Sequence, residues 1–260
     1  MAHLLVFGPG YTASQILAAV QARGFTVEGL GRRDMTARDK VRAAIGRATH
    51  VLSSVPPDDG VDPVLDAHGS DIAAGGARWI GYLSSTGVYG DTGGAWADES
   101  APVGGGRRTA RVAADLAWQS LDPRVRVFRL PGIYGPGRSP LDRVAAGQAH
   151  RIDLPGQVFS RIHVADIVHG VLASIERGPA GVYNLADDLP ASQNRVIEAA
   201  CQLLGIAPPP MQRLEEAGLS PAAHAFYAEN RRVANGKAKR LLGWSPLYPD
   251  YRSGLRALHG

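Results

Sequence analysis

The start of the chain places a short apolar run directly before a glycine-containing turn and a helical pattern. Residues 4–7 read Leu-Leu-Val-Phe, and residues 8–13 read Gly-Pro-Gly-Tyr-Thr-Ala. Gly8 permits a tight turn, Gly10 lets the backbone approach a pyrophosphate, and Ala13 is small enough for the helix to pack close to the strand. The flanking strand and helix make this pattern more specific than its spacing alone. It predicts a dinucleotide-binding turn.

The beginning of that helix is the predicted phosphate site. The first N–H groups of a helix, here including those of Tyr11 and Thr12, have no partner within the helix. The helix dipole also favours an anion at this end. We therefore expect the cofactor's phosphates to lie against Tyr11 and Thr12.

The residues after the second predicted strand, 25–30, indicate which cofactor is bound. They are Gly31, Arg32 and Arg33. An NAD site carries a carboxylate here for the ribose 2′-hydroxyl, whereas an NADP site carries an arginine for the 2′-phosphate. The pattern favours NADP, with Arg32 ahead of Arg33, and NAD is the alternative. Solvated arginines at a strand exit would explain the same residues, and Asp34, which would favour NAD, is expected to lie too far past the strand.

Strands and helices alternate along the rest of the chain, as in a parallel sheet covered on both faces. Further strands are predicted at residues 49–53, 79–84, 125–130 and 181–185. Helices are predicted at residues 62–74, 107–120, 165–175 and 192–204. We expect an α/β fold with a Rossmann-type doubly wound parallel sheet over residues 1–190. A small C-terminal α/β lobe is expected at residues 191–260, with residues 135–157 contributing to it.

Composition excludes several classes of protein. The net charge is +4, but the 28 basic residues are dispersed, so no nucleic-acid partner is expected. No apolar run is long enough to predict a membrane span. The single cysteine, Cys201, cannot form an internal disulfide, which fits a reducing cytoplasm, and its helical spacing indicates core packing. The eight histidines are scattered, so no metal site is predicted.

Four segments follow the pattern of one enzyme family. They are the turn at residues 8–13, Tyr-Leu-Ser-Ser-Thr-Gly-Val-Tyr-Gly at 82–90, Arg-Leu-Pro-Gly-Ile-Tyr-Gly-Pro-Gly at 129–137 and Arg-Ile-His-Val-Ala-Asp-Ile at 161–167. With these segments, nearly the whole chain resembles the extended short-chain dehydrogenases/reductases of the NAD-dependent epimerase/dehydratase type. Residues 239–246 also resemble the C-terminal lobe of that family.

The resemblance implies an oxidoreductase, or an epimerase/dehydratase-like protein, that acts on a small carbonyl, hydroxyl or sugar-nucleotide-like substrate. It also implies that Ser85, with Thr86 next, hydrogen-bonds the reacting oxygen. Capping of the turn that follows the strand would explain both residues equally well. Further cofactor-binding residues are expected at the ends of three predicted strands. These are Ser54, Val55, Pro56, Ser84, Pro131 and Ile133.

The family's catalytic Tyr-x-x-x-Lys pair is absent from this chain. The residues four positions before its three lysines are Thr36, Val233 and Asn235. Aligned on the family's helix, Arg107 takes the tyrosine position and Arg111 the lysine position. Arg111 could still hold the cofactor ribose. Arg107 cannot replace the tyrosine acid, because the pKa of a guanidinium is too high for proton donation near neutral pH.

Three other residues are candidates for the proton donor, with Tyr89 ahead of Tyr134 and His163. Each has a structural alternative, since a tyrosine in this setting packs with a satisfied hydroxyl and the family histidine positions a loop. Asp166 is expected to cap or anchor the helix that follows it. If no donor is present, the alternative is a non-catalytic NADP(H)-binding redox sensor or regulatory protein.

Arginines also suggest that a small-molecule substrate is anionic. The candidates are Arg138, Arg161 and the cluster Asn230-Arg231-Arg232, because the guanidinium fork matches phosphate and carboxylate. Ordinary surface charge is the alternative for each of them. The resemblance allows a monomer or a homodimer, the latter through the helix near Arg107.

Overall fold

Six strands form a parallel sheet because most of their residues are apolar and are buried on both faces. The computed structural model describes residues 1–260, except for the side chain of Ala222. The six strands of this sheet are β1 His3–Phe7, β2 Thr26–Leu30, β3 His50–Ser53, β4 Trp79–Ser85, β6 Val125–Leu130 and β10 Gly181–Asn184. The shorter strands β5 Trp96–Ala97, β7 Gly132–Tyr134, β8 Arg151–Ile152, β9 Arg161–His163, β11 Met211–Gln212 and β12 Arg232–Val233 form two-stranded pairs outside it. The central sheet has the order β10-β6-β4-β3-β1-β2, which confirms the predicted Rossmann-type fold.

Helices cover both faces of this sheet. They are α1 Tyr11–Gln21, α2 Arg38–Arg47, α3 Pro63–Ala74, α4 Thr109–Leu121, α5 Pro140–Ala145, α6 Val164–Glu176, α7 Gln193–Leu204, α8 Pro221–Phe226, α9 Gly236–Leu242 and α10 Tyr251–His259. One face buries Ile16 of α1 and Val171 of α6. The other buries Val41 of α2, Val64 of α3 and Trp118 of α4. The sheet is therefore doubly wound.

Helix α4 begins two residues later than predicted, at Thr109 rather than Arg107. The loop before it passes very close to Gly90, where an added Cβ would lie 2.6 Å from the Gly106 backbone nitrogen. Gly90 also has a φ of +69°, a conformation that favours glycine. This crossing keeps the residues before Thr109 in a loop, which contacts the turn that follows β4.

The segment after residue 190 contributes to two different cores. Val196 and Cys201 of α7 pack with Leu141 of α5 and Leu255 of α10 in a separate apolar cluster. In contrast, Trp244 packs against the core of the central sheet. The boundary at residue 190 stays a prediction, while the buried position of Cys201 agrees with a packing role.

None of the helices described here is both long enough and apolar enough to span a bilayer. Within the same described part of the chain, no three His, Cys, Asp or Glu side chains lie together in a way that could hold a metal ion.

Candidate active site

A cleft of about 450 Å³ lies at the carboxyl ends of β1, β3, β4 and β6. Ligands of open α/β sheets bind at this edge, because the loops that follow the strands converge there. The cleft brings together Arg138, Arg231 and eleven of the residues predicted to bind the cofactor or to take part in catalysis. These eleven are Gly10, Tyr11, Thr12, Ser54, Pro56, Ser84, Ser85, Thr86, Arg111, Pro131 and Ile133.

Three further predicted residues, Gly8, Val55 and Ala13, fix the packing of the glycine turn. Gly8 has a φ of +75°, and a Cβ there would lie 2.8 Å from Val55 Cγ2. The Ser54 hydroxyl donates a hydrogen bond to the Gly8 carbonyl. Ala13 is buried in the core between α1 and the sheet. Only glycine fits at position 8, both for its backbone conformation and for its close contact with Val55.

Gly10 faces open space at the start of α1. The nearest atom to a Cβ added there would be the Gly8 carbonyl oxygen, 4.0 Å away. The first hydrogen bond of the helix runs from Ser14 N–H to the Gly10 carbonyl, so the N–H groups of Tyr11 and Thr12 precede it. The turn thus combines free volume with the N–H groups that an anion requires.

The end of β2 carries two exposed arginines, Arg32 and Arg33. Asp34 was expected to lie too far past the strand, and this expectation is wrong, because its side chain lies at the end of β2. A short 3₁₀ turn over Asp34–Thr36 folds it back, and its Oδ2 accepts a hydrogen bond of 2.8 Å from Gly31 N–H. A carboxylate and two guanidinium groups therefore lie at the position that distinguishes NAD from NADP.

Ser85 caps the turn that follows β4 and also lines the cleft. Its Oγ accepts a hydrogen bond of 3.1 Å from Gly87 N–H at the start of a short 3₁₀ turn. Because Oγ is the acceptor in this bond, the Ser85 hydroxyl hydrogen remains able to donate elsewhere. Thr86 lines the same cleft. Capping of the turn is therefore compatible with the predicted hydrogen bond from Ser85 to a substrate.

A buried polar network lies behind the serines. Ser84 Oγ donates to Asp115 Oδ2 at 2.6 Å, and Arg129 Nη2 donates to Asp115 Oδ1 at 2.7 Å. Arg129 Nη1 also donates to the Tyr89 hydroxyl, which in turn donates to Asn184 Oδ1 at 2.7 Å. Burial raises the pKa of Tyr89. The structure thus places Tyr89 in this network rather than among the residues that line the cleft.

The start of α4 and the loop before it carry three arginines, Arg107, Arg108 and Arg111. Arg111 and its neighbour Arg108 line the cleft, whereas Arg107 is exposed and forms an ion pair of 3.6 Å with Glu229. The Arg108 side chain crosses directly over Gly87, whose missing Cβ makes room for it. Burial and the charge of Arg107 lower the pKa of Arg108. Arg108 was not predicted as a site residue, because no local sequence pattern shows that its side chain packs on Gly87.

Glu229 is the second residue that sequence reasoning missed. It lines the cleft, is 7% exposed, and accepts a hydrogen bond of 2.7 Å from Arg231 Nη1 at its Oε2. Among the described residues, its Oε1 is buried without a hydrogen-bond donor. Arg231 Nη1 also donates to the Gly90 carbonyl at 2.6 Å, so its guanidinium is held in place. Arg232 instead donates to the Gly94 carbonyl.

The other two candidate proton donors have structural roles. His163 is the N-cap of α6, where its Nδ1 accepts a hydrogen bond from Ala165 N–H. Tyr134 packs edge-on against the His163 ring, with 5.2 Å between the ring centroids. Burial raises the pKa of Tyr134 and lowers that of His163. Neither residue is among those that line the cleft.

Two predicted polar residues hold the backbone of other segments. Asp166 lies in the first turn of α6, and its carboxylate accepts hydrogen bonds from the N–H groups of Leu247 and Tyr248. It therefore anchors the chain before α10 rather than its own helix. Arg161 is buried and donates to the carbonyls of Phe159 and Ala191, so it is not available to a substrate in the cleft.

The wall opposite α1 is apolar and aromatic. Phe159 and Phe226 stack with 4.3 Å between ring centroids and an angle of 12° between the planes. Both line the cleft, together with Val158 and Val233. On the side of α1, Arg138 lies over the Tyr11 ring at 5.6 Å.

Comparisons with known proteins identify relatives over part or all of the chain, although no family model matches it. It is 43% identical to a functionally unknown conserved protein from Silicibacter pomeroyi, whose structure aligns over 99% of this chain and 98% of that one with a TM-score of 0.89. It is 32% identical over 168 residues to a Streptomyces 3-diazoavenalumate denitrifying reductase, covering 60% of this chain and 54% of the relative. The chain thus spans about half the length of that reductase. Protein YeeZ from Escherichia coli is 25% identical, with 96% and 97% coverage.

More distant solved structures establish the fold. The human epimerase family protein SDR39U1 with NADPH aligns with a TM-score of 0.78 at 15% identity, over 99% of both chains. The UDP-glucose 4-epimerase of Thermotoga maritima with UDP-glucose aligns with a TM-score of 0.77 at 17% identity, over 99% of this chain and 97% of that one. The chain therefore belongs to one family with the Silicibacter pomeroyi protein and has the fold of the extended short-chain dehydrogenases/reductases of the NAD-dependent epimerase/dehydratase group.

Proposed function

We propose that the chain is a nicotinamide-dinucleotide-dependent oxidoreductase that acts on a small carbonyl or hydroxyl substrate with a non-standard active site. The observation that carries this proposal is the continuity of the cleft, which runs from Gly10 at the start of α1 to the hydroxyls of Ser85 and Thr86. A phosphate-binding helix start and hydroxyl donors within one cleft are the parts that such a reaction needs. The Streptomyces relative is a reductase by name, which agrees with this proposal.

The residues present fit a dinucleotide. Gly10 leaves open volume beside the first N–H groups of α1, and a side chain at Gly8 would collide with Val55. When bound, a nicotinamide supplies or accepts a hydride. We propose NADP(H) rather than NAD(H), with Arg32 holding the 2′-phosphate and Arg33 assisting. Asp34 accepts the Gly31 N–H with one oxygen only, so NAD(H) is the alternative that the titration distinguishes.

The Ser85 and Thr86 hydroxyls donate hydrogen bonds to the reacting oxygen of the substrate. Arg111 holds the cofactor ribose, and its charge favours negative charge that develops on the oxygen. Neither tyrosine that was a candidate proton donor lines the cleft, since Tyr89 is held in the buried network and Tyr134 packs against His163. In the reduction direction, we propose that solvent supplies the proton that completes the hydroxyl group.

Calorimetric titration of nucleotide-free protein with NADPH, NADP⁺, NADH and NAD⁺ tests the cofactor proposal. The decisive variant is Gly10→Ala, because an added methyl group would occupy the open volume without contacting the rest of the protein. We expect it to abolish nucleotide binding while leaving stability unchanged. Gly46→Ala is the matched control, since its Cβ also meets nothing within 4 Å but lies in α2, away from the cleft. Failure of the wild-type protein to bind any of the four nucleotides would overturn the proposal.

The absence of a Tyr-x-x-x-Lys pair favours a second candidate, a redox sensor that binds NADP(H) without turnover. A sensor would bind the oxidised and reduced forms with clearly different affinities and would show no substrate-dependent change in nicotinamide absorbance. An enzyme would show such a change with at least one carbonyl or hydroxyl compound.

A further inference from the structure

More arginines line the cleft than the proposed contacts with the dinucleotide use. Four arginines and one carboxylate line it: Arg108, Arg111, Arg138, Arg231 and Glu229. Arg138 lies over Tyr11 at the phosphate end, and the proposed function places Arg111 at the cofactor ribose. Arg108 and Arg231 remain without an assigned role, and the one carboxylate, Glu229, is already paired with Arg231 and with Arg107.

These two arginines form a prepared site. Glu229, 7% exposed, and the Gly90 carbonyl hold Arg231 Nη1 at 2.7 and 2.6 Å. Arg108 Nε is buried and, among the described residues, has no hydrogen-bond acceptor. A buried donor without an acceptor costs free energy until a ligand satisfies it. An oxyanion would supply a hydrogen-bond acceptor for Arg108. It would also add negative charge beside Arg108 and Arg231, whose two positive charges exceed the single negative charge of Glu229.

The neighbouring wall is apolar and aromatic. Phe159 and Phe226 stack at 4.3 Å, and Val158 and Val233 continue the apolar surface. Sugar hydroxyl groups buried against these side chains would lose hydrogen bonds to water without replacement. A planar apolar group would instead gain contact area and aromatic stacking.

We infer that the substrate is an apolar, aromatic oxyanion, with a carboxylate as the first choice, rather than a sugar nucleotide. Its anionic group binds Arg108 and Arg231, and its body packs on Phe159 and Phe226. This inference rests on the proposed function, because it assigns the substrate end of the same cleft. A charge-assisted hydrogen bond is worth enough that loss of either arginine should weaken binding by at least about tenfold.

The test is calorimetric titration of the whole protein, with and without NADPH, using four probes. Cinnamate carries the carboxylate, cinnamamide is its neutral counterpart, phenyl phosphate carries the other oxyanion, and UDP-glucose represents sugar nucleotides. We expect cinnamate to bind at least about tenfold more tightly than cinnamamide. Arg108→Ala and Arg231→Ala should remove that difference, and Phe226→Ala should weaken both cinnamyl probes. Arg256→Ala, an exposed arginine on α10, is the control and should change nothing.

Thermal denaturation of each variant separates lost binding from lost folding, and Arg108→Lys, which keeps the charge but not the fork, should retain part of the preference. Tighter binding of phenyl phosphate than of cinnamate would support the oxyanion site and identify phosphate as its ligand. Equal binding of cinnamate and cinnamamide, or preferred binding of UDP-glucose, would overturn the inference while nucleotide binding stands. Carboxylate binding in a protein that binds no nucleotide would overturn the proposed function alone.

Discussion

Replacing Asp115 by asparagine tests whether a buried ion pair holds the site together. Asp115 and Arg129 are 0% and 3% exposed. The Asp115 carboxylate accepts hydrogen bonds of 2.7 and 3.1 Å from Arg129, 2.6 Å from Ser84 and 2.7 Å from Gln119. Asparagine keeps the shape but removes the charge and points an amide donor at other donors. Breaking a buried pair from one side costs about 3–5 kcal/mol, because the remaining charge stays buried and unpaired.

We therefore expect the free energy of unfolding of Asp115→Asn to fall by about 3–5 kcal/mol. That is a large share of the total, which is about 5–15 kcal/mol for a typical native protein. Urea denaturation at equilibrium measures the change. With an m-value of about 3 kcal/mol per M, the midpoint should fall by about 1–2 M of urea.

Asp71→Asn is the matched control, because Asp71 pairs at 3.1 Å with Arg42, whose side chain is 69% exposed. Its cost should stay below about 1 kcal/mol. The double variant Asp115→Leu with Arg129→Met should recover much of the loss, since apolar residues remove both buried charges. A loss for Asp115→Asn no larger than that of the control would refute the reasoning.

Three further predictions concern the glycine turn, a buried acid and the cofactor. Gly8→Ala should lower the free energy of unfolding by at least about 1–2 kcal/mol because of its positive φ, and a chemical denaturation curve no different from wild type would contradict this. Burial raises the pKa of Asp187 to about 8, so the folded state keeps a proton that the unfolded state releases near pH 4, and stability should fall as pH rises between those values. Asp187→Asn should remove that fall in melting temperatures compared near pH 5 and near pH 8, and an unchanged slope would count against it. Arg32→Ala should weaken NADPH but not NADH binding in calorimetry, whereas Asp34→Asn should strengthen NADPH binding, and the opposite pair of results would indicate an NAD site.

The central strands could be read from the sequence because fully buried strands are nearly continuous apolar runs. The predicted strand at residues 125–130 coincides with β6, Val125–Leu130. The helix predicted at residues 192–204 begins one residue later, with Ser192 as its N-cap, and ends at the left-handed Gly205. Caps of this kind are local, and a local signal is present in the sequence. The start of α4 was less predictable, because it depends on the crossing at Gly90.

The sheet, the glycine turn and the hydroxyls at the end of β4 could be predicted from the sequence, because each depends on neighbouring residues and on their burial pattern. In contrast, it is the folding of the whole chain that brings Arg108, Arg231 and Glu229 into one cleft and keeps Tyr89 out of its lining. Residues more than a hundred positions apart meet there because β12 pairs with β5, with Arg232 opposite Trp96. Such pairings depend on the packing of the whole chain, so no local pattern records them.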